Sequence, residues 1–374
     1  MRKTAIALLV AAGVAGGYQS LAAQSAAPQP FKLGTFERGG KEFVGVVVNN
    51  DTQVVDLAQA NAALEKAGKA KVQPPADMKD LITRYDSGLK ERIYAIVADV
   101  AAKPSAAYVY AVKDLKVRPP VRAAIILNGG GNYMEHQQGI ADQQARAGGA
   151  AAAAPPPVVA KPAPGIWERK DDDPRPENPY LFFKSPTIVI AQGEPIKVPK
   201  GRDRIDFECE FNTVIGKTAK RVPAARAEDY IFGYTIQIDV SDRGGRGDRK
   251  MGGSDWLVGK NHDTFAPLGP WITPKEFIKD PNKVGHKFTL NGTVMQDSNT
   301  SRMTHNVYEL IEYATNILTL SPGDIISGGS PAGTNIERAE PRWMRAGDTA
   351  RCAIEGIGTQ THSVVAEGEA RGTQ

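Results

Sequence analysis

Two cysteines in 374 residues, Cys209 and Cys352, exclude a disulfide framework and a four-cysteine zinc site. The five histidines, at 136, 262, 286, 305 and 362, lack the spacing of a zinc protease and argue against catalytic zinc. Charge of one sign is scarce: 46 Lys and Arg stand against 42 Asp and Glu, which leaves no electrostatic reason to expect nucleic acid as a partner. Beyond the N-terminus no apolar run reaches the roughly 18 residues that a membrane-spanning helix needs. Glycine and proline are what the chain has in excess. The 38 glycines and 26 prolines are about 17% of the chain, against a usual value of roughly 12%. That surplus predicts many turns, and so a strand-rich fold or a long irregular insert. With 41% hydrophobic and 24% charged residues, the rest is ordinary for a globular chain with a sizeable core.

The first residues read as a secretory signal peptide over 1–23. Arg2 and Lys3 supply the positive region, residues 5–16 the apolar one, and Ser20-Leu21-Ala22-Ala23 the small residues before a cut at Gln24. The expected location is periplasmic or secreted, with no membrane span in the mature chain. Residues 24–120 read as an N-terminal domain with a linker: short strands over 31–60, helices over 56–102, and a connection ending in Pro119-Pro120. A second domain, 121–374, opens on a buried strand at 123–127. It is interrupted at about 142–178 by an insert rich in Ala and Pro, which cannot build a core alone. Strands are expected at 180–183, 187–190, 205–215 and 230–240. A helix is expected over 306–318, with Val307, Leu310, Ile311, Ala314 and Leu318 on one face.

The nucleotide and serine-hydrolase motifs fail on spacing. Gly216-Lys217-Thr218 ends like a P-loop, but the loop's first glycine falls on Phe211. Gly129-Gly130-Gly131 lacks dinucleotide-binding spacing, and around Ser330 the closing glycine comes one position late. Glu208-Cys209-Glu210 is more informative. On a strand the two glutamates share a face, with Cα atoms roughly 6.5 to 7 Å apart. Such a pair is either a charged, solvent-facing edge that resists aggregation or a cation site. Asp239, at the end of the next apolar stretch, could reach the same cation. Three carboxylates without histidine or thiolate describe a hard ion: Mg²⁺, Mn²⁺ or Ca²⁺. Cys209 faces the other way and reads as a small core residue.

An ordered set of segments resembles the fumarylacetoacetate hydrolase family. The set runs from Gly131-Asn132-Tyr133-Met134-Glu135-His136 through Phe182-Phe183-Lys184-Ser185-Pro186 to Asp206-Phe207-Glu208-Cys209-Glu210 with Val214-Ile215-Gly216-Lys217. It continues with Gly233-Tyr234-Thr235, Asp239-Val240-Ser241-Asp242-Arg243, Gly259-Lys260 with Asp263, and Pro267-Leu268-Gly269-Pro270-Trp271. Asn291-Gly292, Pro322-Gly323-Asp324 and Ser330-Pro331-Ala332-Gly333 complete it. The resemblance implies an α+β, strand-rich fold, a mixed β-sandwich roll with a smaller N-terminal domain, usually assembled as a homodimer. It implies a divalent metal held by Glu208, Glu210 and Asp239, with His136 activating water and Lys260 neutralising developing charge. Tyr133, Lys184, Arg243 and Ser330 are implied to bind substrate. The function that follows is an exported, Mg²⁺- or Mn²⁺-dependent hydrolase that cleaves a C–C bond in a small 2-oxo or 1,3-dicarbonyl acid, acylpyruvate-like, through a stabilised enolate. A lyase, decarboxylase or isomerase on similar acids is the alternative, as is a small-acid binder without turnover. The chain departs from the family pattern at four positions. Gly139 stands where short-type hydrolases carry a glutamate three residues after the histidine, so Glu135, Asp142 or Glu168 are candidates to replace it. Ser330 replaces a threonine, and Gly328 and Ile238 replace a threonine and an asparagine.

Overall fold

A computed structural model describes residues 29–146, 178–245 and 255–368. The expected signal peptide, Glu168 and residues 147–177 of the expected insert lie outside the described residues. Residues 142–146 are the last of the helix Met134–Arg146. No helix among the described residues is long and apolar enough to cross a membrane.

The architecture is α+β and strand-rich. One large sheet runs in the order Val109–Ala111, Gln53–Asp56, Lys41–Val48, Lys32–Arg38, Ala266–Pro274, Ile231–Ile238, Cys209–Ile215, Ile325–Ser327, Ile126–Gly129, Leu181–Lys184. A five-stranded sheet, centred on Gly285–Leu290 and Thr349–Ile354, packs against it. The N-terminal strands join the large sheet through the pairing of Leu33 with Ile272. Residues 113–120 are more than a passive connection, because Val117 pairs with Phe36.

Side-chain alternation along the central strands divides the core. Phe211, Ile215, Tyr234, Ile236 and Ile238 turn towards Phe288, Leu290 and Ile354 of the second sheet. Val214, Phe232, Ile325 and Ile272 turn towards Leu81, Ile82, Leu89 and Ile93 on the N-terminal helices. By the same alternation Glu210 and Asn212 lie on the Val214 face. The sequence 205–215, expected as one strand, breaks in two. Ile205–Asp206 pairs with Ser241–Asp242, whereas Cys209–Ile215 pairs with Ile231–Ile238. The change of partner leaves Phe207 and Glu208 between the two strands.

The helix Val307–Ile317 forms where its apolar spacing places it. Asn306 caps it, with Glu309 closing a reciprocal capping box, a device worth about 1 kcal/mol. Val307, Leu310, Ile311 and Ala314 are its buried stripe.

Candidate active site

Glu208, Glu210 and Asp239 converge, each buried, with one oxygen from each lying within 4.8 Å of the others. The backbone makes this meeting: Cys209 pairs with Ile238 across the central ladder, and Asp239 N–H donates to Glu208 O at 2.8 Å. Three cations surround the carboxylates. Lys260 Nζ donates to Glu208 Oε2 at 2.7 Å and to Asp239 Oδ2 at 2.6 Å. Lys184 Nζ donates to Asp239 Oδ1 at 2.6 Å and to Val240 O at 3.1 Å. Arg243 pairs with Glu208 through Nη2 and with Asp206 through Nε.

Local folding explains why the lysines arrive there. In Leu181–Lys184 the alternation buries Phe182 and Lys184 and exposes Phe183. Asp255 caps the short helix Trp256–Lys260 by accepting from Leu257 and Val258 N–H. Trp256 stacks on Phe182 at 4.6 Å, and Lys260 Nζ lies 5.0 Å from the same phenyl ring. Asn261 joins the two elements, accepting from Ser185 N–H at 2.7 Å and donating to Trp256 O at 3.0 Å.

The electrostatics are uneven across the triad. Burial works against the charge of Glu208, but Lys260 and Arg243 outweigh it and hold that carboxyl well below the ordinary range. Glu210 goes the other way: burial, Asp239 and Glu208 together push it well above that range. Its Oε2 accepts from Asn128 Nδ2 at 2.7 Å and from Ser327 Oγ, while the buried Oε1 has no partner. A wholly buried carboxylate with an unpartnered oxygen, facing two more hard oxygen donors, fits a divalent cation. Burial lowers the pKa of Lys184. Lys260, equally buried, is raised on balance because Asp239 and Glu208 stand against it.

His136 belongs to the helix Met134–Arg146, and its Nδ1 makes a short hydrogen bond to Glu337 Oε1. Among the described residues Glu337 is the carboxylate that contacts His136. Of the sequence candidates, Glu135 pairs with Arg302 and Asp142 accepts from Gln138, and Glu168 lies outside the described residues. Gly139 leaves Glu337 its space: a Cβ there would stand 2.9 Å from Glu337 Cγ. Glu337 is itself fixed, accepting from Gly333 N–H at 2.9 Å and from Thr334 Oγ1 at 2.7 Å. Gly333 takes a φ of +107°, and a Cβ there would meet Met295 O at 2.3 Å. Burial opposes the charge of Glu337, but the contact with His136, Gly333 N–H and Thr334 hold the carboxyl below its ordinary range. It therefore accepts, Nδ1 carries the proton, and Nε2 is the basic nitrogen.

The other residues singled out in the sequence occupy distinct places. Tyr133 is fully buried, its hydroxyl 3.4 Å from His286 Nε2 in the second sheet. Ser330 Oγ accepts from Gln296 Nε2 at 3.0 Å. Cys209 is a buried core residue, as its position implied, and it forms a disulfide with Cys352. Sequence reasoning also missed Asn128, Ser327 and Asp206, which hydrogen-bond Glu210 or Arg243.

Burial holds His286 down at about 4, against about 6.5 in an unfolded chain. Its contribution to stability is complete above pH 6.5 and is lost as pH falls towards 4, because only the unfolded state takes up the proton there. The two values correspond to about 3 kcal/mol. Urea unfolding at pH 7 and pH 4.5 is expected to show a loss of that order, smaller in His286→Gln. Equal slopes with pH in the two proteins would contradict the assignment.

Comparison with known proteins bears on the family and the fold. Residues 130–365 match the family model described as fumarylacetoacetate (FAA) hydrolase C-terminal. A mitochondrial oxaloacetate tautomerase of Xenopus laevis is 38% identical over 192 residues, which is 51% of this chain and 60% of that protein. The solved structure of a maleylpyruvate hydrolase from Sphingobium sp. SYK-6, with manganese(II) and pyruvate, superposes with a TM-score of 0.61 at 26% identity, covering 90% of this chain and 99% of that one. A 5-carboxymethyl-2-hydroxymuconate delta-isomerase from Mycobacterium smegmatis gives a TM-score of 0.60 at 28% identity, covering 90% of this chain and 100% of the other. Because the family model matches residues 130–365, more than half of the chain, and the fold is shared with these solved structures over 90% of it, the chain belongs to the fumarylacetoacetate hydrolase family.

Proposed function

We propose that the protein is a Mg²⁺- or Mn²⁺-dependent enzyme that hydrolyses a C–C bond in a small acylpyruvate-like oxo acid. The observation that carries hydrolysis is the His136–Glu337 pair. Its carboxylate holds Nδ1–H and leaves Nε2 to accept a proton from water, a role worth roughly 10² to 10⁴ in rate. Glu208, Glu210 and Asp239 would hold the cation, which supplies positive charge for the oxyanion that a 2-oxo acid develops when the bond breaks. Lys260, shared between Glu208 and Asp239, keeps a second positive charge beside that oxyanion and excludes water from the carboxylates. In the balanced reaction, water oxygen bonds to the acyl carbon and its proton passes to His136. The C–C electron pair leaves with the pyruvate fragment, and a proton returns to its methylene carbon.

A second reading rests on the same proton transfer: keto–enol tautomerisation or double-bond isomerisation without cleavage, which the tautomerase and isomerase among the similar proteins favour. Incubating the Mn²⁺-loaded protein with acylpyruvates and measuring released pyruvate separates the two. Pyruvate formed in proportion to enzyme supports hydrolysis. Loss of enol absorbance without pyruvate supports tautomerisation. Neither change, with metal bound, leaves a small-acid binder.

We also propose export and a homodimer. The signal-like residues 1–23 support export, and so does the Cys209–Cys352 disulfide, a bond that persists in oxidising compartments. Intact mass from the native host should begin at Gln24, and sedimentation should give twice the chain mass.

A further inference from the structure

The only disulfide among the described residues is placed at the triad. Cys209 lies between Glu208 and Glu210, and its ladder partner Ile238 is next to Asp239. Its sulfur is on the opposite face from the carboxylates and bonds to Cys352, 143 residues away, with Cα atoms 5.5 Å apart. Cys352 sits in Thr349–Ile354, paired on one side with Phe288 and on the other with Gln360. Two further contacts brace the same point. Cys209 N–H donates to Gln296 Oε1 at 2.9 Å, and Phe207 stacks on Phe288 at 4.3 Å. Covalent and packing restraints thus converge on the short segment carrying two of the three carboxylates.

Such restraint has a physical use. Lys260, Arg243 and Lys184 hold Glu208 and Asp239, but Glu210, within 4.8 Å of both, meets only neutral donors, and a free backbone would let it move away from the other two. A strand pinned from behind cannot retreat, so its oxygens remain arranged for the cation and less binding energy is spent on assembling them. We propose that Cys209–Cys352 is a positioning cross-link for the metal carboxylates, and that opening it weakens divalent-cation binding while the fold persists. This rests on the metal reading above. Opening by a small dithiol is balanced: the S–S bond takes up two electrons and two protons to give two thiols, and the dithiol becomes a cyclic disulfide.

The test is Mn²⁺ titration by calorimetry of three forms: oxidised wild type, wild type reduced with dithiothreitol, and Cys352→Ala, which leaves the Glu208–Glu210 segment unchanged. Each is measured at a temperature where circular dichroism shows the folded form. The expected Kd rises 10- to 100-fold in the reduced and Cys352→Ala forms, the range seen when a group supporting a ligand is lost. A reduced form within twofold of the oxidised Kd overturns the proposal and leaves the bond as a fold stabiliser only. If Cys352→Ala does not fold, Cys209→Ala/Cys352→Val, which refills the space, takes its place under the same criterion. Oxidised wild type that binds no Mn²⁺ overturns the metal reading and this inference with it. Tight binding to oxidised and reduced forms alike overturns this inference alone.

Discussion

Glu210→Gln is expected to abolish metal binding while leaving the metal-free protein at least as stable as wild type. The two effects have opposite signs because Glu210 is the triad member that nothing cationic neutralises directly. Lys260 and Arg243 contact Glu208, and Lys184 and Lys260 contact Asp239, whereas Glu210 meets only the neutral donors Asn128 and Ser327. Burial and its two carboxylate neighbours raise its pKa in the folded state. In the unfolded chain it ionises near pH 4.3. Above that pH the metal-free wild type loses stability as pH rises, because the unfolded state gives up the proton more readily. A glutamine keeps the neutral form and the shape, so the difference in favour of the variant grows with pH. Metal binding needs the missing charge and oxygen, and its loss is expected to be on the order of 10³-fold, about 4 kcal/mol. Differential scanning calorimetry with and without Mn²⁺ reads both effects. Wild type should gain thermal midpoint with Mn²⁺, and Glu210→Gln should gain none. Metal content equal to wild type in the variant would place the cation elsewhere.

Substitutions at the His136–Glu337 pair should separate proton transfer from metal binding. His136→Ala is expected to lose 10² to 10⁴ in kcat, the span of a positioned general base, with an unchanged Mn²⁺ Kd. Glu337→Gln removes the charge that holds Nδ1–H and should lose on the order of 10². Gly139→Glu alone should lower turnover, since its Cβ would crowd Glu337 at 2.9 Å. In a Glu337→Ala background the same substitution should recover part of the rate. Residues three apart on a helix face each other, and the space vacated by Glu337 is the space the new side chain enters. Turnover of His136→Ala at the wild-type rate would return His136 to a structural role. No recovery in the double variant would show that the carboxylate's position, and not only its presence, sets the rate.

The parts of the site legible in the sequence are those carried by local spacing. The spacing of Glu208 and Glu210 and the place of Asp239 after the next apolar stretch raise a cation site as the alternative to a charged edge, and the Val307–Ala314 stripe follows from side-chain period. The segments flanking Lys184, Lys260 and His136 were legible through the family resemblance. Contacts made across large separations were not legible. Thr334 and Glu337 carry a visible capping-box pattern, but that pattern says nothing of a histidine 201 residues earlier. The pairing of Cys209 with Cys352 is likewise invisible, because alternation shows only that Cys209 faces away from the carboxylates. The break of 205–215 into two strands comes from a change of hydrogen-bond partner, for which an apolar run carries no signal. The unpartnered Oε1 of Glu210 depends on Asn128 and Ser327 both bonding Oε2, contacts from strands more than 80 residues away in sequence.

The proposed reactions, hydrolysis, tautomerisation and isomerisation, share one event, the loss or gain of a proton beside the 2-oxo group. Proton NMR of pyruvate and oxaloacetate in deuterium oxide follows that event without assuming the physiological substrate. With Mn²⁺ removed and Mg²⁺ added to avoid line broadening, wild type should catalyse exchange of the C3 hydrogens, and EDTA should stop it. Glu210→Gln and His136→Ala should both be inactive in this assay, the first without metal and the second with it. Exchange that continues undiminished in Glu210→Gln, or that is absent from metal-loaded wild type across a panel of 2-oxo acids, would contradict the assignment of this site to metal-assisted oxo-acid chemistry.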